Sequence, residues 1–364
     1  MIIIFIKLKP YIFLGGTHLK SPIQLFTFAL SALLLVVMTA CGSGNSTSNS
    51  SAGTATPAAS TAASAAPSAA PTGPKTIKHG LGTTEVKTTP KRIIVLEWTY
   101  AEDLIAVGVQ PVGVADIKGY KANVNVSTPL ADTVVDVGTR QEPNLETITG
   151  LKPDLIITAA FRSQKNYDAL SKIAPTIAFN PYPAENEGDQ YTEMETTFKT
   201  IADLVGKKAE ADNVLADLQQ TYKAAADKLK AANKAGAEFA LTQAYTNQNA
   251  AALRLFADNS MVVKILEKIG LKNSFKSSKF ENYGFSLGSV ELLTPIQNTN
   301  LIYIVQDNDN VFEKQLKDNA VWKGLTFVKE NRTFKLPQNT WTFGGPLSAK
   351  VFVDQATTAL LTTK

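Results

Sequence analysis

Two arginines follow predicted strands at the positions where an α/β protein usually binds small molecules. Arg140 comes just after "VVDVG", and Arg162 comes just after "DLIITAAF". A guanidinium group offers several donors in a fixed fork, which suits anionic or electron-rich oxygens. Because ligands sit at the carboxyl ends of the strands in such folds, we expect both arginines to reach one ligand. A solvated surface arginine is the alternative for each.

Aromatic residues follow the first apolar strand in the same way. Trp98 and Tyr100 come after "RIIVLE", and Tyr120 comes after the next strand segment, "PVGVAD". We expect Trp98 and Tyr100 to stack on a planar or aliphatic ligand surface, with Tyr120 as a weaker candidate on the same rim. Packing in the core explains an aromatic residue after a strand equally well.

The C-terminal half contains a second set of candidates. Tyr245 ends a predicted strand, and Arg254 lies within "ALRLF". Trp341 and Phe343 lie in "NTWTFGG", a polar and glycine-containing loop before the last predicted helix. Core packing rarely explains an indole in such a loop, so Trp341 is the first-ranked contact. The glycines that follow allow close backbone approach, and the helix amino terminus offers free donors.

Residue types that support metal or enzyme chemistry are scarce. The chain has two histidines, His18 and His79, and one cysteine, Cys41. This scarcity argues against a bare transition-metal site and against Ser-His-Asp or Cys-His catalysis. GxSxG and GxxxxGK patterns are also absent from the sequence. A carboxylate pair acting as acid and base stays open as an enzymatic alternative, although no spacing indicates one. We expect a binding protein that is not an enzyme and needs no cofactor.

The amino-terminal segment has the pattern of an export signal. Residues 23–40 are almost wholly apolar, and Met38-Thr39-Ala40-Cys41 resembles a bacterial lipobox, in which the cysteine is acylated. An uncleaved membrane-spanning anchor is the alternative, and both place the remainder outside the cytoplasmic membrane. The opening "MIIIFIKLKPYIFLGG" is unusual for a signal peptide, so we expect translation to start downstream. The sequence thus predicts a lipoprotein signal peptide at 1–40, lipidation at Cys41 and an extracytoplasmic, lipid-anchored protein.

A tether is predicted after this cysteine. Residues 41–74 are rich in Ser, Ala, Pro and Thr and cannot bury enough apolar surface to offset their chain entropy. Without the first 40 residues, which hold three of the 36 basic residues and no acidic residue, the chain carries 33 basic against 32 acidic side chains. This balance gives no reason to expect a nucleic-acid partner.

The remaining sequence alternates between strand and helix patterns and predicts two lobes. Residues 75–190 and 233–364 each show short apolar strands separated by helices, which indicates mainly parallel sheets. Residues 191–232 show no strand pattern and carry apolar side chains at helical spacing. A helix through the second half of that segment would span roughly 38 Å. We therefore predict an α/β fold with two lobes joined by a long backbone helix and a ligand cleft between them.

Five segments together resemble the substrate-binding lipoproteins of iron–siderophore ABC importers, the helical-backbone class of solute-binding proteins. They occur in that family's order, from about residue 76 to the end, and they are "PKRIIVLEWTYAEDLIAVGVQPVGVAD", "VGTRQEPNLETITGLKPDLII", "YDALSKIAPTIAF", "LRLFADNSMVVKILEKIGL" and "NTWTFGGPLSA". The resemblance implies two lobes with little hinge motion, a monomer, and a lipid anchor of the Gram-positive type.

The resemblance also implies a ligand and partners. The ligand would be a ferric siderophore, of hydroxamate or citrate type, delivered to an ABC permease dimer with its ATPase. The iron would arrive already chelated, so the protein would supply no metal ligand of its own. Arg254 would face the ligand, and Glu146 and Glu291 would dock onto permease arginines, with simple solvation as their alternative. Haem or cobalamin bound by the same fold is the alternative ligand, although His79 lies too early to be a convincing haem ligand.

Overall fold

The computed structural model of the protein describes residues 73–362. The predicted signal peptide, Cys41 and most of the predicted tether lie outside the described residues. Between residues 73 and 362, none of the helices combines the length and apolar character that crossing a bilayer would require.

The N-terminal lobe is built on a parallel sheet with helices packed against it. The strands of this sheet are β3 (Ile93–Val95), β4 (Gly113–Val114), β5 (Val135–Asp136), β6 (Leu155–Ala159) and β7 (Thr176–Phe179), and a separate antiparallel pair, β1 (Lys75–His79) and β2 (Gly82–Val86), precedes them. The helices of this lobe are α1 (Trp98–Ala106), α2 (Ile117–Asn123), α3 (Leu145–Gly150), α4 (Ala160–Ser163) and α5 (Tyr167–Ile173). The strands β3, β6 and β7 are buried along their whole length, as continuous apolar strands of a parallel sheet must be.

The strand order of this sheet places a ligand site between β3 and β6. The order is β5-β4-β3-β6-β7, and all pairs are parallel. After β3 the chain therefore adds β4 and β5 on one side of the sheet, and after β6 it adds β7 on the other side. The loops that follow β3 and β6 diverge and leave a crevice at the carboxyl edge of the sheet. Glu97 follows β3 and Arg162 follows β6, so both side chains belong to this crevice.

Two helices connect the lobes, α6 (Gln190–Leu204) and α7 (Lys208–Ala231). They occupy the segment predicted as the backbone helix, and α7 matches the long helix expected in its second half. The break lies at Gly206, which adopts φ +72° in the left-handed region that ends helices. Through its buried face, α6 packs against α1 of the N-terminal lobe, against α7, and against α8 (Met261–Lys268) of the C-terminal lobe.

The C-terminal lobe contains a mixed sheet in the order β11-β9-β8-β12-β13, with β10 also paired to β8. Its strands are β8 (Glu238–Asn247), β9 (Ala250–Phe256), β10 (Lys272–Asn273), β11 (Phe285–Gly288), β12 (Asn300–Val305) and β13 (Thr333–Lys335). Its remaining helices are α9 (Ala320–Gly324), α10 (Thr326–Lys329) and α11 (Pro346–Leu361), with 3-10 turns at Val290–Ile296 and Asp307–Asp309. The pairs β8–β9 and β9–β11 are antiparallel, and the other pairs are parallel.

The two lobes share one apolar core. A single cluster of buried side chains contains Val95 and Leu104 of the N-terminal lobe, Ile201 of α6, and Leu241 and Phe352 of the C-terminal lobe. Moving one lobe against the other would expose part of this cluster to water, which is unfavourable in proportion to the apolar area exposed. The shared core therefore opposes large hinge motion.

A buried carboxylate adds a polar link between the lobes. Glu102 on α1 accepts hydrogen bonds from the backbone N–H of Ser348 (2.7 Å) and from the Ser348 hydroxyl (2.6 Å), in the first turn of α11. A negative charge is stabilised at this end of a helix, where backbone N–H groups have no helical partner. Glu102 thus uses donors that the sequence predicted would be free for a ligand, and this placement corrects that expectation.

Gly344 is required for this close approach. A Cβ at Gly344 would lie 2.4 Å from the Ser348 Cβ and 2.7 Å from Glu102 Oε2. The Ser348 Cβ is fixed to the α11 backbone, so the loop before α11 would have to shift.

We therefore expect Gly344→Ala to lower the free energy of unfolding by about 1–3 kcal/mol through overpacking. The urea midpoint of the purified protein measures this change. Gly324→Ala is the matched control, because no atom of residues 73–362 lies within 4 Å of a Cβ added there. Equal stability of the two variants would show that the contact between α1 and α11 tolerates an extra methyl group.

Candidate ligand-binding cleft

A cavity of about 350 Å³ lies between the lobes, at the carboxyl edge of the N-terminal sheet. Residues of both lobes and of α6 line it. They are Glu97, Thr99, Arg140, Phe161, Arg162, Pro181, Tyr182, Gln190, Glu193, Met194, Arg254, Met261, Tyr283, Phe285, Trp341, Phe343 and Gly344. The volume falls within the range of about 300–1,000 Å³ that small-molecule sites occupy.

Three of the five arginines in the chain line this cavity. Arg140 and Arg162 come from the N-terminal lobe, and Arg254 comes from β9 of the C-terminal lobe. Guanidinium groups from opposite lobes therefore face the same space. Such an arrangement can bind the oxygens of an anionic ligand from two sides.

Glu97 holds the two N-terminal arginines in place. Its Oε1 accepts a hydrogen bond from Arg140 Nη1 (2.8 Å), and its Oε2 accepts one from Arg162 Nε. Glu97 is only 6% exposed, so water competes weakly with these ion pairs. Each arginine keeps further N–H groups that donate to no acceptor among residues 73–362. The carboxylate thus fixes the orientation of both guanidinium groups and leaves donors for a ligand.

Aromatic rings support all three guanidinium groups. Arg140 lies 3.6 Å from the centre of the Trp98 ring, and Arg162 lies 4.7 Å from the centre of the Phe161 ring. Arg254 lies 5.0 Å from the Tyr245 ring and 5.2 Å from the Phe285 ring. These contacts stabilise the cations and limit the side-chain freedom that ligand binding would otherwise remove.

A cluster of rings from both lobes lies at the edge of the cavity. Tyr182 is centred 5.2 Å from Phe161 and 5.0 Å from Tyr283, which belongs to the C-terminal lobe. Phe161 is 40% exposed and Tyr283 is 47% exposed. Exposed aromatic surface beside a cavity can cover the apolar parts of a bound molecule.

Together, these features describe a site for an oxygen-rich anion with apolar portions. With Glu97 ionised and Glu193 protonated, the three guanidinium groups give the cavity a formal charge of +2, and ionisation of Glu193 would reduce it to +1. Within residues 73–362, His, Cys, Asp and Glu do not form any group of three or more that could hold a metal ion.

Comparisons with known proteins identify the family of this chain. The family model described as "Periplasmic binding protein" matches residues 93–340 of the 364-residue chain. This protein belongs to the periplasmic binding protein family. The family predicted from the sequence segments is confirmed, as is the two-lobed α/β fold class.

This periplasmic binding protein is similar to several named relatives. It is 30% identical to the probable siderophore-binding lipoprotein YfiY of Bacillus subtilis over 94% of this chain and 98% of the relative. It is 30% identical to the Fe(3+)-citrate-binding protein YfmC of the same organism over 72% of this chain and 78% of the relative. The crystal structure of the Fe3+–Desferal-bound siderophore-binding protein FhuD from Vibrio cholerae superposes with a TM-score of 0.66 at 26% identity, covering 74% of this chain and 98% of that one.

Five of the sequence-predicted ligand residues line the cavity of this periplasmic binding protein. They are Arg140, Arg162, Arg254, Trp341 and Phe343. Arg140 follows β5 and Arg162 lies in α4 after β6, which places both at the carboxyl edge of the sheet, as the strand-end argument predicted.

The four other aromatic candidates are not among the residues that line the cavity. Trp98 is 3% exposed and donates its indole N–H to the Ala115 carbonyl (3.1 Å), so it supports Arg140 from below. Tyr100 is 1% exposed and packs against Phe179, and Tyr120 is also buried. Tyr245 is half-buried, with its ring centre 5.0 Å from the Arg254 guanidinium, and is not among the residues that line the cavity. These placements correct the expectation that Trp98, Tyr100 and Tyr245 offer their rings to a ligand.

For Trp98 and Tyr100, the reason for this correction is the early start of α1. Trp98 is the first residue of α1 and not the tip of a strand, and Glu97 caps the helix with its side chain. The side chains at positions 98 and 100 therefore point into the core rather than toward the strand ends.

Several residues of the cleft were missed in the sequence. Pro181 and Tyr182 follow β7, and the strand-end argument would have found them if it had been applied to "TIAFN". Tyr283 and Phe285 reach the cavity through the fold of the C-terminal lobe, for which the local sequence gives no signal. Glu97 stood beside Trp98 in the sequence, but its pairing with two distant arginines depends on tertiary structure.

The two predicted docking glutamates lie on the surface. Glu146 is exposed in the first turn of α3, and Glu291 is exposed in the 3-10 turn that begins at Val290. Hydrogen bonds from the Ser289 hydroxyl and from the backbone lower the pKa of Glu291, which keeps it charged.

Two buried acidic residues lie under the cleft at the lobe interface. Burial, with the nearby Glu102 and Glu193, holds the pKa of Asp103 well above its usual range. Burial also raises the pKa of Glu102, although hydrogen bonds from Ser348 oppose this effect. Asp103 Oδ1 has no hydrogen-bond partner in the part of the chain that the structure describes. Asp103 is therefore protonated in the folded protein at a pH where the unfolded chain is ionised.

This difference predicts that stability falls with rising pH. Above the pKa of the unfolded chain, the folded state still holds the Asp103 proton that the unfolded state has lost. The free energy of unfolding therefore falls by up to about 1.4 kcal/mol per pH unit. Asp103→Asn has no proton to lose, so its stability relative to the wild type should rise from about pH 5 to about pH 8. Urea unfolding at both pH values measures this, with the exposed Asp132→Asn as control. Parallel stability curves for Asp103→Asn and the wild type would contradict the prediction.

Proposed function

We propose that this protein is a membrane-anchored extracytoplasmic receptor that binds a ferric siderophore of hydroxamate or citrate type and delivers it to an ABC importer. The observation that carries the proposal is the convergence of three arginines from both lobes on one aromatic-lined cavity. Hydroxamate and citrate chelates surround iron with electron-rich or anionic oxygens, which guanidinium donors can bind. Relatives named for siderophore binding and for Fe(3+)-citrate binding support the same ligand class.

The anchoring part of the proposal is supported by the sequence and by the relatives. Met38-Thr39-Ala40-Cys41 resembles a lipobox, and YfiY carries the name of a lipoprotein. In this proposal Cys41 is the lipid-bearing first residue of the mature protein, and the predicted tether separates the two lobes from the membrane.

A fluorescence titration tests the ligand class. Trp98 and Trp341 lie 5.2 Å apart, and Trp341 lines the cavity, so bound ligand should quench indole emission. We expect ferric hydroxamate or ferric citrate to bind more tightly than ferric catecholates, haem or cobalamin. Preferential binding of haem or cobalamin would overturn the siderophore proposal while leaving the fold intact.

Arg140→Ala should weaken binding of the preferred chelate by about 1–3 kcal/mol, because a charge-assisted contact is lost. Arg332→Ala is the matched control, since Arg332 pairs with Glu330 outside the cavity. If both variants bind like the wild type, Arg140 is not a ligand contact.

Docking onto the permease is tested separately from ligand binding. We expect Glu146→Lys and Glu291→Lys to abolish cellular uptake of the ferric chelate while leaving its affinity for the purified protein unchanged, since both residues lie outside the cavity lining. Glu85→Lys and Glu313→Lys reverse exposed charges in the same two lobes and serve as controls. Normal uptake by the Glu146 and Glu291 variants would exclude these residues as docking contacts.

A further inference from the structure

The cleft contains two glutamates whose surroundings differ. Glu97 pairs with Arg140 and Arg162. Glu193 lines the same cavity but forms no ion pair with any residue between 73 and 362. Its Oε1 accepts a hydrogen bond from the Thr197 hydroxyl (2.5 Å), one turn further along α6. Its Oε2 makes no hydrogen bond to the described residues, so one carboxyl oxygen is available to a ligand.

Burial makes a negative charge on Glu193 unfavourable, although the place of Glu193 near the amino terminus of α6 opposes this effect. Glu193 lies in the first turn of α6, the helix that packs against both lobes. The titratable groups that act on this region from α1 are the acid Asp103 and the buried phenol Tyr100. The charged groups that share the cavity are Glu97, Arg140, Arg162 and Arg254. Glu97 neutralises one of the three positive charges, and none of the three arginines forms an ion pair with Glu193.

The proposed ligand would make an ionised Glu193 still less favourable. Hydroxamate and carboxylate oxygens on iron accept hydrogen bonds, and they would repel an ionised carboxylate in the same cavity. A protonated carboxyl group would instead donate a hydrogen bond to such an oxygen. Burial raises the pKa of Glu193 to about 7, against the opposing hydrogen bond from Thr197, so the proton is available near neutral pH.

We propose that Glu193 takes up a proton from solvent when the cleft is occupied and donates it from Oε2 as a hydrogen bond to an oxygen of the ferric chelate. Ligand binding is then linked to one proton, and Glu193 selects ligands that present acceptor oxygens at this point of the cleft. This inference rests on the proposed function, because it assumes that a ferric chelate occupies the cavity.

Isothermal titration calorimetry tests the linkage with ferric citrate and the ferric complex of desferrioxamine B as probes. Titrations in phosphate and in Tris, which differ in ionisation enthalpy, give the number of protons exchanged on binding. At about pH 7.5 we expect an uptake of roughly 0.5–1 proton per ligand, and above pH 8 an affinity that falls by up to about tenfold per pH unit.

Three variants separate the carboxyl group from a merely structural role. Glu193→Gln should bind without proton uptake and with pH-independent affinity, because the amide donates at every pH. Glu193→Ala should bind more weakly at every pH. Glu195→Gln is the control, because Glu195 lies outside the cavity lining and accepts a hydrogen bond from the Tyr191 hydroxyl. This variant should retain the wild-type proton uptake.

The outcomes distinguish this inference from the function on which it rests. Binding of a probe by the wild type without proton uptake, or uptake that persists in Glu193→Gln, would overturn the role of Glu193 and leave the receptor function intact. If neither probe binds at any pH, the proposed ligand class fails, and the inference fails with it.

Discussion

The structure depends on a buried carboxylate that joins one lobe to the other. Glu102 on α1 accepts hydrogen bonds from the first turn of α11, and this contact requires the close approach that Gly344 permits. A buried carboxylate without such donors would be strongly unfavourable, so the two helices must stay together. Because α1 begins directly after the cleft residue Glu97 and α11 directly after the Trp341–Gly345 loop, the same contact fixes the spacing of the two cleft walls.

In the cleft, too, a carboxylate fixes the positions of neighbouring groups through hydrogen bonds. Glu97 orients Arg140 and Arg162, and aromatic rings lie against all three cavity arginines. Each cation is therefore positioned before a ligand arrives, which reduces the entropy lost on binding. The shared apolar core acts in the same direction, because it opposes movement of one lobe against the other. The protein resembles a preformed receptor more than a hinged clamp.

The two glutamates of the cleft differ in how their charges are compensated, and this difference affects how a ligand can be bound. Glu97 is compensated by two arginines, whereas Glu193 is held by a single hydroxyl and lies near the buried Asp103. An anionic chelate meets donors from the arginines, and a protonated Glu193 would add another. Binding of iron already held in its own chelator fits a cleft that provides hydrogen-bond donors, since these recognise the chelator rather than the metal.

The sequence by itself determined the lobed α/β architecture, the helical segment between the lobes and the strand-end arginines, because periodicity and strand ends are local properties. It also singled out Trp341 and Phe343 from the composition of their loop. Tertiary structure alone decided that Trp98 and Tyr100 are buried, that Tyr245 lies outside the cavity lining, and that Glu97, Glu193 and Tyr283 belong to it. These positions depend on where α1 begins, on how α6 passes between the lobes and on which side chains from distant segments pair. Pairing across long sequence separations leaves no periodic signal in the chain.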